Sequence, residues 1–255
     1  QGGEMIQLKS ESEIDGIRTS GHMLAEMFEE IGPEIQAGMS TWDVDKLFHD
    51  WMKRHHAGAP CVGYMGYPAA TCVSVNDMVI HGIPSKTEIL KDGDIVSVDI
   101  CLEKNGFISD STHTYEIGTV SPDVHKLNVE TEKSLYLGIE AAGKPGARIQ
   151  DIAAAVSGHC RKFGYGVVRD YCGHGVGFEM HEDPEIPNYV SLMNPNPRIR
   201  KGMVFAIEPM INMGTYKIRT EPDGWGVKTA DGKPACHWEH TVAMTDSGLE
   251  ILTRI

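Results

Sequence analysis

Two aspartates that could bind a metal ion lie in the stretch DGDIVSVDICLEKNGFISDSTHTYEIG, residues 92–118. Apolar and polar side chains alternate along it, and Asn105-Gly106 is a strong two-residue turn, so the pattern predicts a β-hairpin. In such a hairpin residue 101 faces 110 and residue 99 faces 112. Asp99, Cys101 and Asp110 then share one face, with the two carboxylates as diagonal neighbours roughly 7–8 Å apart at Cα. Carboxylates this close repel unless a proton or cation lies between them, which favours a metal over the alternative of solvent-facing strand aspartates.

Three further residues could complete a metal site. His174 lies between glycines in YCGHGVGF, while Glu208 ends the apolar run VFAIE and Glu239 precedes a buried-strand pattern. Taken alone, each has a simple interpretation, as a loop histidine or as an acid at the end of a strand. However, an ionised side chain buried beside apolar residues needs a hydrogen-bonding or charged partner. With Asp99 and Asp110 they form an oxygen-rich set with one imidazole, which suits a pair of ions such as Mn, Fe, Co or Zn. Two such ions can share a hydroxide and stabilise a hydrolytic transition state.

The periodicity of apolar side chains predicts the helices and strands that carry these residues. Helices are predicted over residues 11–31, from an N-cap at Ser40 or Thr41 onward, and over 121–142 and 148–163. Strands are predicted over residues 71–80, in the hairpin, and over 203–213, 225–230 and 238–244, with a Gly-rich turn at 171–177. The order of two helices followed by strands occurs twice, which suggests two related halves without a visible sequence repeat.

Composition narrows the class of protein further. The 255 residues are 41% hydrophobic and 23% charged, without an apolar run near 18 residues, which is typical of a soluble protein. A net charge of −13 argues against nonspecific binding of nucleic acid. The six cysteines form no CxxC pair, and free thiols in a cytosolic protein are expected. Residues 1–4 are interpreted as a cleavage scar from an expression tag, and 5–255 as one catalytic domain.

Other catalytic and nucleotide-binding motifs are absent from the sequence. It contains no HExxH, which argues against a thermolysin-like zinc helix. It also contains no GxxxxGK[ST], and the GHGVG run is not a dinucleotide-binding GxGxxG in a βαβ unit. Nucleotide-binding functions are therefore weakly supported.

Several motifs together resemble type I methionine aminopeptidases, in order from about residue 5 to the C-terminus. They are NDMVIHGIP (76–84), DGDIVSVD (92–99), NGFISD (105–110), YCGHGVGFEMHEDP (171–184), FAIEPM (205–210) and EHT (239–241). The resemblance implies an α+β pita-bread fold, in which two pseudo-symmetric halves form a curved antiparallel sheet backed by helices. It also implies that two divalent ions (Co, Mn, Fe, Zn or Ni) are held by Asp99, Asp110, His174, Glu208 and Glu239.

The resemblance further implies an activity and the residues that perform it. The reaction is removal of the initiator methionine from nascent polypeptides when the second residue is small and uncharged, by attack of a hydroxide that bridges the two metals. Glu208 would transfer protons, His181 would contact the scissile carbonyl, and His81 would contact the leaving amide. The substrate-binding residues would be His81 and His181 with Cys61, Tyr64, Tyr67, Cys72, Met180 and Trp225. Met180 stands where many relatives have Phe, and Cys101 stands where Thr is common.

Two other functions are the alternatives to this one. X-Pro aminopeptidases and prolidases share the fold but usually carry an additional N-terminal domain, for which the chain leaves no room. A catalytically inactive binding module would be expected to have lost metal ligands, and all five are present. We therefore expect a cytoplasmic enzyme, monomeric, acting on the N-terminal methionine of nascent peptides at the ribosome, without direct binding to nucleic acid or membrane.

Overall fold

The computed structural model describes residues 5–255, and the cleavage scar predicted at residues 1–4 lies outside the described residues. Two pairs of helices confirm the predicted order. The first pair is α1 (Glu11–Ile31) and α2 (Thr41–Arg54), and the second is α3 (Pro122–Ala142) and α4 (Ile149–Arg161). Short 3₁₀ turns lie at Gly32–Glu34 and Tyr64–Gly66. No helix in residues 5–255 has both the length and the apolar character needed to cross a membrane.

Side-chain caps define where the first two helices begin. Ser10 Oγ accepts a hydrogen bond from Glu13 N at 3.2 Å, and Glu13 Oε1 accepts one from Ser10 N at 2.8 Å. Ser40 and Asp43 repeat this capping box at the start of α2, so Ser40 is the N-cap. Each box satisfies two backbone donors that a helix otherwise leaves unpaired.

Residues 5–255 contain fourteen strands, β1–β4 between α2 and α3 and β5–β14 after α4, and every pairing among them is antiparallel. They are β1 (Cys72–Val75), β2 (Met78–Ile80), β3 (Ile95–Lys104), β4 (Phe107–Glu116), β5 (Gly166–Val167), β6 (Gly173–Gly175), β7 (Glu182–Ile186), β8 (Val204–Ile207), β9 (Met210–Asn212), β10 (Ile218–Thr220), β11 (Val227–Thr229), β12 (Ala235–His237), β13 (His240–Thr245) and β14 (Gly248–Ile251). They form four groups, ordered β1-β3-β4, β10-β11-β2, β12-β9-β5 and β14-β13-β8-β6-β7.

The predicted hairpin and its register are confirmed. Cys101 pairs with Asp110, and Asp99 pairs with Thr112. Asn105 and Gly106 both have positive φ, +53° and +85°, as the two-residue turn requires. The two aspartates therefore lie on one face of the hairpin, as the sequence predicts.

Two predicted strands and one predicted turn differ from the structure. The strand predicted over 71–80 divides into β1 and β2 at Asn76, which turns with φ +55°. The strand predicted over 203–213 is interrupted at Glu208-Pro209, because proline has no N–H for a ladder. The Gly-rich turn predicted at 171–177 contains β6 instead, and a Cβ on Gly173 would lie 2.2 Å from Ala206 O. Glycine is present there because β8 passes so close.

Each half of the chain has its own hydrophobic core. In the first half α1 and α2 pack on the β1-β3-β4 sheet through a cluster that includes Met27, Trp51 and Val98. In the second half α3 and α4 pack on β8 and β13 through a cluster that includes Leu135 and Phe205. The halves are joined between their strands, where Thr112 N and Glu239 O lie 3.2 Å apart and Glu239 N and Thr112 O lie 3.0 Å apart. The expected metal ligands lie around this junction.

Candidate metal centre

Strands from both halves bring the five expected ligands together. Asp99 lies in β3, and Asp110 lies diagonally across from it in the neighbouring strand β4. His174 lies in β6, Glu208 directly follows β8, and Glu239 directly precedes β13. Hydrogen bonding at the Thr112–Glu239 bridge connects the ligand-bearing strands of the two halves.

The imidazole of His174 is held between two of the carboxylates. Its Nε2 lies 3.4 Å from Asp110 Oδ2 and 3.2 Å from Glu208 Oε1. Its Nδ1 lies 2.9 Å from Gly175 O and donates to it, so Nε2 is the ring nitrogen that faces the carboxylates and would face a bound cation. Burial alone would lower the pKa of His174, but the hydrogen bonds to Asp110 and Glu208 raise it well above its usual value. The imidazole therefore lies where a positive charge is stabilised.

The carboxylates themselves indicate that a cation is needed. Burial and the neighbouring carboxylates raise the pKa of Asp99 and of Glu239 well above the usual values. Asp110 Oδ1 and Glu239 Oε1 are buried and have no hydrogen-bond partner within residues 5–255. Ligand atoms of Asp110, His174 and Glu239 lie within 4.8 Å of one another. Such a donor set, rich in oxygen with one imidazole, fits divalent metal ions.

Hydroxyl groups orient the backbone and side chains of two ligands. Thr112 Oγ1 donates to Glu239 Oε2 at 2.7 Å, and Ser111 Oγ donates to Glu239 O at 2.8 Å. Thr241 Oγ1 donates to Asp110 O at 2.7 Å and accepts from Asp110 N at 3.1 Å. Such outer contacts fix the direction of metal ligands.

Two contributors were missed in the sequence. His237 is buried, and its Nε2 lies 3.2 Å from Glu208 Oε2. Burial alone would raise the pKa of Glu208, whereas hydrogen bonds with His174 and His237 bring it below its usual value. His237 stands two residues before Glu239, a spacing that could have marked it, and Thr112 faces Asp99 in the predicted hairpin register.

A cavity of about 820 Å³ opens onto the centre. The structure places in its lining all the side chains expected to bind substrate: Cys61, Tyr64, Tyr67, Cys72, His81, Met180, His181 and Trp225. Asp99, Asp110, His174 and Glu208 line it too, while Glu239 lies beneath the surface with 1% exposure. Met5, Gln7 and Tyr171 also line the cavity and were not expected.

The two histidines expected to contact substrate, His81 and His181, are held in the neutral form. Burial lowers the pKa of His81 to about 4 and also lowers the pKa of His181. The His181 ring lies 4.4 Å from the His174 ring, and the His81 ring lies 5.6 Å from Tyr171. His81 has φ +59°, a strained conformation for a residue with a side chain. A neutral imidazole can donate one hydrogen bond and accept another.

Comparison with known proteins agrees with this geometry. A model of metallopeptidase family M24 matches residues 15–246. The chain is 44% identical over 249 residues to the methionine aminopeptidase of Clostridium acetobutylicum, covering 98% of this chain and 99% of that protein.

Solved structures show the same architecture. The crystal structure of methionine aminopeptidase from Thermotoga maritima has a TM-score of 0.93 at 39% identity and covers 98% of this chain and 100% of that chain. The prolidase from Pyrococcus furiosus has a TM-score of 0.77 at 23% identity over 97% of this chain and 65% of that chain, a likeness that shows the fold alone. The predicted α+β pita-bread fold is confirmed. The family match and the near full-length identity together show that this chain belongs to the methionine aminopeptidase family within metallopeptidase family M24.

Proposed function

We propose that this chain removes the initiator methionine from nascent polypeptides when the second residue is small and uncharged, and that residues 5–255 form a single catalytic domain. The observation that carries the proposal is one cavity in which a carboxylate-rich cation site meets two neutral histidines and a sulfur- and aromatic-lined wall. The methionine aminopeptidase of Clostridium acetobutylicum, 44% identical, supports the same substrate. Because the proposed substrate is a newly made chain, we place the activity at the ribosome in the cytoplasm, and we further propose that the enzyme acts as a monomer.

Asp99, Asp110, His174, Glu208 and Glu239 would hold two divalent ions, of Co, Mn, Fe, Zn or Ni. When bound, such ions supply Lewis acidity and lower the pKa of water towards neutrality. Family M24 is a metallopeptidase family, which supports a divalent cofactor. Two clusters of ligand atoms support a count of two: Asp110, His174 and Glu239, and Glu208, His237 and Glu239.

Proton transfer is assigned to Glu208. Hydrogen bonds with His174 and His237 favour its ionised form, so its carboxylate can accept a proton from the attacking water. The same carboxyl group then returns a proton to the leaving amine. The neutral imidazole of His181 donates a hydrogen bond to the scissile carbonyl oxygen as negative charge develops there. His81, which also lines the cavity, contacts the leaving amide nitrogen.

The methionine side chain is assigned to the sulfur- and aromatic-lined wall. Tyr67 and Trp225 meet edge to face with ring centroids 5.0 Å apart, beside the thiol of Cys72. Thioethers pack well against aromatic edges and sulfur. Tyr64, Tyr67, His81 and His181 would crowd the second residue of the substrate, which restricts it to small side chains.

Peptide hydrolysis tests the proposal directly. The purified protein, loaded with each candidate metal, is expected to release methionine from Met-Ala-Ser and to leave Met-Leu-Ser and Met-Lys-Ser uncleaved. Faster cleavage of Ala-Pro peptides would assign an X-Pro aminopeptidase or prolidase activity instead. Absence of cleavage with every metal, despite metal binding measured by calorimetry, would indicate a binding module.

A further inference from the structure

A buried ion pair joins the segment ahead of α1 to the loop that carries His181. Lys9 Nζ contacts Glu182 Oε1, and the two side chains are only 1% and 3% exposed. The two residues are 173 positions apart in the chain, so the pair connects distant segments. Removing either partner would leave a buried charge without compensation, which is strongly unfavourable.

The second carboxylate oxygen of Glu182 holds the backbone of that loop. We call residues 176–181, between β6 and β7, the His181 loop. Glu182 Oε2 accepts hydrogen bonds from Phe178 N at 2.7 Å and from Glu179 N at 2.9 Å. Lys9 Nζ also lies 4.9 Å from the centroid of the Phe178 ring. Lys9 therefore contacts both the acceptor that orders the loop and an aromatic side chain of the loop.

The backbone of Lys9 is held by a different part of the molecule. Lys9 N donates to Gly202 O at 2.8 Å, in the turn before β8. Gly202 has φ +92°, and a Cβ there would lie 2.9 Å from Lys9 O, so this approach requires glycine. The ammonium group is thus presented to Glu182 from a backbone position that does not depend on the His181 loop.

The His181 loop delivers two side chains to the cavity. Met180 is 7% exposed and packs in a cluster with Ile17 and Cys101. His181 follows it and lies beside His174. Two residues with assigned substrate contacts therefore depend on the path of a six-residue loop, two of whose backbone amides donate to one carboxylate.

We propose that Lys9 is a positioning residue for the aminopeptidase reaction. By neutralising the buried carboxylate of Glu182, it keeps the His181 loop in the arrangement that directs His181 to the scissile carbonyl and Met180 to the methionine side chain. The proposal rests on the role of His181 in the proposed function. It gives the residues ahead of α1 a part in catalysis although Lys9 touches no reacting atom.

The test compares variants in the metal-loaded, full-length enzyme at a temperature where circular dichroism shows each to be folded. Lys9→Met is expected to lower kcat for Met-Ala-Ser roughly tenfold or more, since small displacements of catalytic groups have large effects. Lys9→Arg keeps the charge and is expected to retain more activity than Lys9→Met. Lys201→Met is the matched control, because it removes a lysine from an exposed pair with Asp246, and it is expected to match the wild type.

Two further readouts separate positioning from stability alone. Hydrogen exchange at the amides of Phe178 and Glu179 is expected to become faster in Lys9→Met, with or without metal. In a His181→Ala background, Lys9→Met is expected to cause little further loss of kcat, because the loss of kcat in both variants acts through His181, whereas displacement of Met180 is expected to raise KM. Glu182→Gln, which keeps the shape of the side chain, is expected to reproduce the loss of kcat and serves if Lys9→Met does not fold.

Wild-type kcat and wild-type exchange in folded Lys9→Met or Glu182→Gln would overturn the proposal. So would losses from Lys9→Met and His181→Ala that multiply in the double variant, since Lys9 would then act elsewhere. Full activity of His181→Ala would contradict the role of His181 in the proposed function. In that case the exchange rates of the loop amides still decide whether Lys9 orders the loop.

Discussion

In the proposed function, Glu208 would combine metal binding and proton transfer in one side chain. Its two oxygens have different neighbours, with His174 Nε2 3.2 Å from Oε1 and His237 Nε2 3.2 Å from Oε2. A carboxylate held from both sides keeps one orientation, which suits a group that must ligate and transfer a proton.

Glu208→Gln is therefore expected to keep the fold and to lower kcat by roughly 10²-fold or more, because an amide is not a general base and supplies no ligand charge. Steady-state hydrolysis of Met-Ala-Ser by protein of matched metal content measures the loss. Glu250→Gln, in a partly exposed pair with Arg18 outside the cavity, is the control and should match the wild type. Near wild-type kcat in Glu208→Gln would show that the base lies elsewhere.

Cys101 offers a second test at the residue scale. It lies opposite Asp110, lines the cavity and packs in one cluster with Met180 and the more exposed Cys61. A small alkylating reagent bound to Cys101 would fill the space beside the ligands. We expect it to inactivate the enzyme, and we expect Cys101→Thr to stay active and resist it.

Mass spectrometry of the modified peptides identifies the reacting thiol. Cys61→Ser and Cys72→Ser are the matched controls, since both residues line the same cavity. Equal sensitivity of Cys101→Thr and wild type would show that another cysteine controls inactivation.

At the scale of elements, local signals determine how well sequence predicts structure. The β3–β4 register follows from Asn105-Gly106 and from side-chain alternation, so it was predictable residue by residue. β6 was not predictable, because a three-residue strand with the sequence Gly-His-Gly is too short to show an alternation of apolar and polar side chains. Its glycines reflect the close passage of β7 and β8, which is a tertiary constraint.

Gly173→Ala tests that constraint. A Cβ at this position would lie 2.2 Å from Ala206 O and 3.0 Å from Ile186 Cβ, and neighbouring strands cannot move apart without losing their hydrogen bonds. We expect a loss of roughly 1–3 kcal/mol in the free energy of unfolding, as for other overpacked sites, and weaker metal binding through the displaced His174.

Gly158→Ala is the matched control for Gly173→Ala. Gly158 lies inside α4, and a Cβ there meets nothing within 4 Å. Because alanine favours helix over glycine, we expect a gain of roughly 0.5–1 kcal/mol in unfolding free energy. Chemical denaturation measures both variants, and equal stability of Gly173→Ala and wild type would contradict the packing argument.

At the scale of the whole molecule, the site depends on contacts between the halves that sequence patterns do not encode. The repeated order of helices and strands was predictable from periodicity. The Thr112–Glu239 bridge and the pairing of β2 with β11 were not, because they join segments more than a hundred residues apart. Residue types and positions suggested the ligand set, and the resemblance of its motifs to a known family made it specific, whereas His237 was missed because no such motif includes it.

The meeting of buried carboxylates from both halves also couples metal binding to the stability of the molecule. Burial and mutual repulsion raise the pKa of Asp99 and Glu239, so in the metal-free protein these groups oppose folding when ionised. Bound cations would remove that opposition. Repulsion among these carboxylates adds to the repulsion within a chain whose net charge is −13.

Chelation of the metals is therefore expected to lower the Tm of the wild type, with a loss of roughly 2.7 kcal/mol when the removed ion had been present at a hundred times its Kd. Asp99→Asn should have the opposite effect on the metal-free protein: its Tm should exceed that of the metal-free wild type, because one of four crowded carboxylates becomes neutral. The same variant should gain less Tm on adding metal, because it has lost a ligand. Asp15→Asn, which changes an exposed aspartate on α1, is the control and should follow the wild type in both states. Thermal scans with and without chelator measure all three proteins, and a metal-free Asp99→Asn less stable than metal-free wild type would show that repulsion among these carboxylates is not what the metals relieve.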